Sequence, residues 1–157
     1  MHCKLRTLCA RLARFLAAGG RNLVAALNAV TNVGTHAGGR FTATASGTVT
    51  EHTLVKLSSA GVVAANDGVP CGLAESTETD GYEVGVQALG GASRTVLATA
   101  SAAIAANAIV IADSAKVKTL PTGSGTYYIV GQALTAADAD GDLIELAPCA
   151  PIKIVVA

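Results

Sequence analysis

Four carboxylates crowd into one short stretch of the chain: Asp138, Asp140, Asp142 and Glu145. Acids at alternate positions are what an oxygen-rich calcium loop uses, so a cation site is the first chemistry to test. A loop of EF-hand type needs glycine at its sixth position and glutamate at its twelfth. Counted from Asp138, Gly141 falls fourth and Glu145 eighth, and the match fails. Glu75, Glu78, Asp80 and Glu83 surround an earlier Asp-Gly step, Asp80-Gly81, in the same way. Two acid-rich Asp-Gly steps read as solvated hairpin turns rather than as metal ligands.

The other reactive side chains do not assemble into a constellation. The histidines are His2, His36 and His52, the first two in an N-terminal arm and the third in a turn. A nucleophilic triad needs nucleophile, base and orienting group in one cleft, and the serines lie in Ser-Ala and Gly-Ser turns without a nucleophile elbow. Cys3, Cys9, Cys71 and Cys149 show neither CxxC spacing nor a zinc-type Cys/His cluster. Cys71 and Cys149 fall in strand-like surroundings, as small buried hydrophobes or as a pair. Phosphate-binding glycine motifs are missing. A lipoyl or biotinyl carrier would carry its lysine at a hairpin tip, but residues 77–83 (TETDGYE) and 138–143 (DADGDL) offer none. The chain is therefore expected to be no enzyme and to hold no cofactor or metal.

The elements that carry these residues repeat. Residues 46–63 (SGTVTEHTLVKLSSAGVV) align without a gap on residues 101–118 (SAAIAANAIVIADSAKVK), an offset of 55. Ser46/Ser101, Val55/Val110, Ser59/Ser114, Ala60/Ala115 and Val62/Val117 are identical, and Val49/Ile104 and Leu54/Ile109 stay apolar. After a short insertion, Cys71-Gly72-Leu73-Ala74 aligns with Val130-Gly131-Gln132-Ala133, and Asp80-Gly81 with Asp140-Gly141. One supersecondary unit used twice accounts for this. Each copy reads as strand, Ser-Ala turn, strand, glycine-containing strand, Asp-Gly turn and strand.

Composition fits a β-rich domain with a shallow core. Hydrophobic residues make up 51% of the 157, aromatics only 3%, and tryptophan is absent. Val, Ile, Leu and Ala must fill the interior, and Val-Ile-Thr runs favour strands. Candidate strands are 41–45, 53–57, 61–65, 70–76, 82–89, 94–99, 108–112, 115–119, 126–134, 142–147 and 151–156, with a possible helical turn at 100–106. Turn signals separate them at residues 66–68, 80–81, 90–91, 121–123 and 140–141. Short strands at even spacing predict a small antiparallel β-barrel, closed by the two duplicated units.

The zero net charge conceals an asymmetry. Residues 1–40 carry six bases and no acid, whereas residues 41–157 carry five bases and eleven acids. An acidic body argues against nucleic-acid binding there. Within the arm, residues 3–18 have helical periodicity. Leu5, Leu8, Leu12 and Leu16 fall on one face beside Cys9 and Phe15, with Lys4, Arg6, Arg11 and Arg14 on the remaining arc. Leu23 to Val30 could add a second short helix. A targeting peptide, a membrane-surface helix and a partner-docking arm all fit this pattern. The docking arm is the preferred reading, with Leu5, Leu8, Leu12, Phe15 and Leu16 as apolar anchors and Arg6, Arg11 and Arg14 meeting acidic patches. No run of apolar residues is long enough to span a membrane. The expected domains are an arm, 1–40, and a duplicated β-barrel, 41–157, with units at about 46–90 and 101–150.

From about Thr42 to Val156 the pattern resembles the capsid cement, or head decoration, proteins of tailed phages. The stretches that carry the resemblance are 44–68 (TASGTVTEHTLVKLSSAGVVAANDG), 71–76 (CGLAES), 80–91 (DGYEVGVQALGG), 100–121 (ASAAIAANAIVIADSAKVKTLP) and 127–134 (YYIVGQAL). The resemblance implies a barrel of β-tulip type. It also implies a homotrimer on the outer surface of the virion head, bridging neighbouring major capsid proteins and stabilising the expanded shell. The alternatives are a head-surface ligand- or glycan-binding β-module, for which only Tyr82, Tyr127 and Tyr128 offer aromatics, and a minor coat protein.

Overall fold

The computed structural model describes residues 38–92 and 94–157. The expected arm helix, with Leu5, Arg6, Leu8, Arg11, Leu12, Arg14, Phe15 and Leu16, lies outside the described residues, as does the short helix expected after Asn22. Ten strands follow: β1 (Arg40–Thr44), β2 (Leu54–Ser58), β3 (Gly61–Ala64), β4 (Gly72–Ala74), β5 (Glu83–Ala88), β6 (Val96–Thr99), β7 (Ile109–Asp113), β8 (Lys116–Thr119), β9 (Gly125–Ala133) and β10 (Leu143–Val156). No helix occurs among the described residues.

The two halves of the β region share one strand order. The strands form two five-stranded sheets, β1-β5-β4-β2-β3 and β6-β10-β9-β7-β8. Each unit therefore builds a sheet of its own, and every ladder pairing is antiparallel. A strand the repeat alignment did not include, β1 in one unit and β6 in the other, pairs with the last strand of its unit.

Each sheet then curls until its edges meet. Ala45, just after β1, forms a parallel bridge with Val62 in β3, and Ala100, just after β6, does the same with Val117 in β8. The amide of Ser46 donates to the Val62 carbonyl and that of Ser101 to the Val117 carbonyl, both at 2.8 Å. The Asp-Gly turns close onto the same points, because the Gly81 amide reaches the Ala45 carbonyl and the Gly141 amide the Ala100 carbonyl, both at 2.9 Å. His52 and Asn107 occupy equivalent left-handed positions, at φ 61° and 68°. Asparagine and histidine tolerate that region better than most side chains.

The cores repeat as well. Ala45, Val49, Val55, Val62, Ala74, Val84 and Val86 form one buried cluster. Their counterparts Ala100, Ile104, Val110, Val117, Ala133, Ile144 and Leu146 all lie in a second. The second cluster also takes Leu54, Ala65, Leu73 and Leu89 from the first unit. In β2 both Leu54 and Val55 are fully buried, although neighbours on a strand point to opposite faces. One face of the first sheet thus covers its own core and the other packs on the second unit. Backbone bonds join the two: the Leu54 amide to the Ala115 carbonyl at 2.6 Å, the Ala115 amide to the Ala65 carbonyl at 3.2 Å, and the Thr99 amide to the His52 carbonyl at 2.9 Å.

Three expectations need correction. The two halves do not close one barrel between them: every ladder runs within a half, and each half forms a five-stranded sheet of its own. The strands expected at 142–147 and 151–156 are one strand, β10, with a register shift between Pro148 and Ile152 where it faces β9. Pro148 and Pro151 suggested a break. Past Leu146, however, β10 pairs only with β9, so its other edge is open and proline costs no ladder bond there. The helical turn considered at 100–106 is instead a bent segment with isolated bridges at Ala100 and Ile104.

Gly72 and Gly131, aligned by the repeat, explain each other. A Cβ on Gly72 would lie 2.4 Å from Val86 Cγ1 and 2.6 Å from the Gln87 carbonyl oxygen. One on Gly131 would lie 2.3 Å from the Ala147 carbonyl oxygen. Backbone neighbours cannot swing aside, so the strands must shift. Gly72→Ala and Gly131→Ala are each expected to lower stability by about 1–3 kcal/mol, measured by thermal or urea melting. Unchanged melting in both would show that the sheets are looser than this packing implies.

Candidate functional site

The acid-rich turns are structural. The Asp142 carboxylate accepts the amides of Asp138 at 2.9 Å and Ala139 at 2.8 Å, which pins the Asp-Gly turn. Asp140 takes the Lys116 ammonium at 2.6 Å, and Glu145 takes the Thr95 hydroxyl at 2.6 Å. In the first unit Asp80 accepts the Gly47 amide at 2.9 Å. Among the described residues no group of three His, Cys, Asp or Glu side chains comes together. His52 contributes its carbonyl to the junction of the units, and its ring lies 3.4 Å from Glu51. Cys71 and Cys149 are free thiols, and burial pushes both above the usual thiol range.

A concavity lies where β4 and β5 of the first unit meet β6 of the second. It encloses about 270 Å³ and is lined by Glu75, Gln87, Arg94, Thr95 and neighbouring residues. Its charges already answer one another. Glu75 pairs with Arg40 on one side and with Arg94, at 3.3 Å, on the other. The buried Gln87 amide donates to the carbonyls of Gly38 at 2.8 Å and Gly39 at 3.2 Å, and its oxygen accepts from Arg94 at 3.2 Å. Gly39, at φ 71°, packs so closely that a Cβ would sit 2.2 Å from the Gly91 carbonyl oxygen. The Gly39 carbonyl also accepts the Ala88 amide at 2.8 Å.

This arrangement is a clamp. It holds Gly38, Gly39 and Arg40, where the chain enters the β domain, against β5 and against the connection between the units. Exposed ion pairs such as Arg40–Glu75 contribute only about 0–1 kcal/mol each. The buried Gln87 amide and the glycine contact supply the specificity, because an unpaired buried amide would cost more. Sequence inspection missed the clamp because Gln87 and Glu75 belong to no motif. The one available signal was the pair of glycines, Gly38-Gly39, just before the first strand.

With the geometry in view, comparison with known proteins decides the family. The model of the phage cement protein family matches residues 33–148. The chain belongs to the phage cement protein family. Membership carries a structural role in a phage capsid, and so association with the capsid and a place in the virion. No curated protein matches the sequence significantly. The match spans the clamp and both sheets up to Pro148. Most of the basic arm precedes it, and the last part of β10 follows it. Among the described residues of this cement protein, no helix is long and apolar enough to cross a membrane.

A second polar group secures the curl of the second sheet. Asp113 at the end of β7 accepts from Ser101 at 2.7 Å and from Lys118 in β8 at 2.8 Å. Ser101 directly follows the bridge residue Ala100. Burial raises the Asp113 carboxyl, but the Lys118 and Ser101 hydrogen bonds and the Lys118 charge outweigh it, and the net shift is downward. A depressed folded pKa gives stability that is present above the unfolded value, about 4, and lost as pH falls through the folded value. Asp113→Asn is therefore expected to lower the melting temperature at neutral pH and to flatten its fall below about pH 4. A variant with the same acid limb as the parent would contradict that role.

Proposed function

We propose that the chain is a head decoration protein that binds the outer surface of the expanded shell and bridges neighbouring major capsid proteins. The family match over residues 33–148 carries this reading. In it, the two curled sheets serve as a β-tulip-like body, the body assembles as a homotrimer, and the N-terminal arm is the attachment device. The acids of the hairpins hold turns and ion pairs, and the charges that line the concavity pair with one another. Such a body transmits force rather than converting a substrate. The clamp at Gly38–Arg40 gives the arm a fixed root, so tension on the arm would pass directly into β5.

On this reading Leu5, Leu8, Leu12, Phe15 and Leu16 bury an apolar face against the shell, while Arg6, Arg11 and Arg14 meet acidic capsid patches. Burying a few such side chains supplies several kcal/mol per subunit, at about 25 cal/mol per Å² of apolar surface. Assembly into an oligomer multiplies the effect through avidity. The glycan-binding alternative gains little support. Tyr82 is well exposed, but the Tyr127 hydroxyl is engaged with the carbonyls of Gly123 at 3.1 Å and Ser124 at 3.4 Å.

Deleting residues 1–30 and measuring occupancy on expanded shells tests the proposal. The expected outcome is a steep loss of bound protein with the β domain still folded by circular dichroism. Undiminished occupancy would remove the arm from the attachment mechanism. Failure of the full chain to bind expanded shells would remove the decoration role itself.

A further inference from the structure

The internal duplication supplies a template for contacts with another copy of the chain. Within one chain, the Ser114-Ala115 tip between β7 and β8 docks on the first unit. Ala115 is buried there and exchanges backbone bonds with Leu54 and Ala65. Offset by 55 residues, the equivalent tip is Ser59-Ala60 and the equivalent receiving positions are Ile109 and Leu120. The local backbone of the receiving site is conserved between units. The Ala65 amide donates to the Leu54 carbonyl at 2.8 Å, and the Leu120 amide to the Ile109 carbonyl at 3.0 Å. Burial, however, differs completely. Leu54 is 0% exposed and Ile109 is 49% exposed, while Ala115 is buried and Ala60 exposed. Each chain thus has one tip and one receiving face left uncovered, and they are of matching kind.

We propose that Ile109 and Leu120 of one copy receive the Ser59-Ala60 tip of the next, repeating between chains the contact made within the chain. This goes beyond the decoration reading, because it concerns self-association away from any shell. The repeat is incomplete at one place. Gln132 stands where Leu73 does, and its amide donates to the Asn107 carbonyl at 3.0 Å, where the first unit's His52 carbonyl takes the Thr99 amide of its neighbour. The tips also differ in backbone, since Ser114 and Ala115 are left-handed whereas Gly61 takes the positive φ in the first unit. The contact therefore centres on Ile109, Leu120 and Ala60. A contact of this type is head-to-tail and either closes into a ring or propagates.

The test uses the full chain and two surface variants, Ile109→Asp and Ala60→Glu, with mass measured by light scattering and folding checked by thermal melting. The wild type is expected to be oligomeric, and each variant to run as a single chain of 15.5 kDa that still melts cooperatively, at a temperature lowered only by the loss of the oligomer. Mixed together, the two variants are expected to form a one-to-one pair of twice that mass. The intact tip of Ile109→Asp would meet the intact receiving face of Ala60→Glu. A monomeric wild type would mean that the arm or a capsid partner takes the face, and would overturn the proposal. So would variants that keep the oligomer, or monomeric variants that fail to complement.

Discussion

The constraint behind this structure is a shortage of large apolar side chains. With two phenylalanines and no tryptophan, a single unit fills its interior with seven Ala and Val side chains. A sheet so thinly backed is marginal by itself. Curling each sheet onto a parallel bridge shortens the span the core must fill. Stacking the two units then buries a second face of the first sheet. Leu54, Leu73 and Leu89 join the larger residues of the second unit, and Ile104, Ile144 and Leu146 replace valines of the first. Using the same arrangement twice thereby offsets the small size of each core.

The same economy governs the polar groups. Glu75, Asp113, Asp140, Asp142 and Glu145 each meet a donor within the domain. Their work is to fix turns, the sheet closure and the chain's point of departure toward the arm. The clamp around Gln87 holds the entry to the β domain against β5 and against Arg94 in the connection to β6.

Much of this was legible in the sequence. The turn signals at 66–68, 80–81, 90–91, 121–123 and 140–141 separated most of the strands, and the offset of 55 residues pointed to two similar halves. Aligning Asp80-Gly81 with Asp140-Gly141 also identified the acids as turn residues before any geometry was known. Other features were hidden for physical reasons. The two prolines near Cys149 masked the continuity of β10, since only the pairing shows that one edge of the strand is open there. Isolated bridges at Ala100 and Ile104 overrode the helical propensity of an alanine-rich stretch. The division into two sheets was invisible because Leu54 and Val55 look alike in sequence, although they serve different cores. Gln87 gave no signal at all, because its partners are backbone carbonyls.

As a proposed decoration protein, the chain should be a stoichiometric structural component of the head. The most direct measurement is its molar ratio to the major coat protein in purified intact virions, taken across gradient fractions. One fixed ratio is expected in every particle-containing fraction, together with heads that lose stability when the protein is stripped. A ratio that varies from fraction to fraction, or heads indifferent to its removal, would contradict that role.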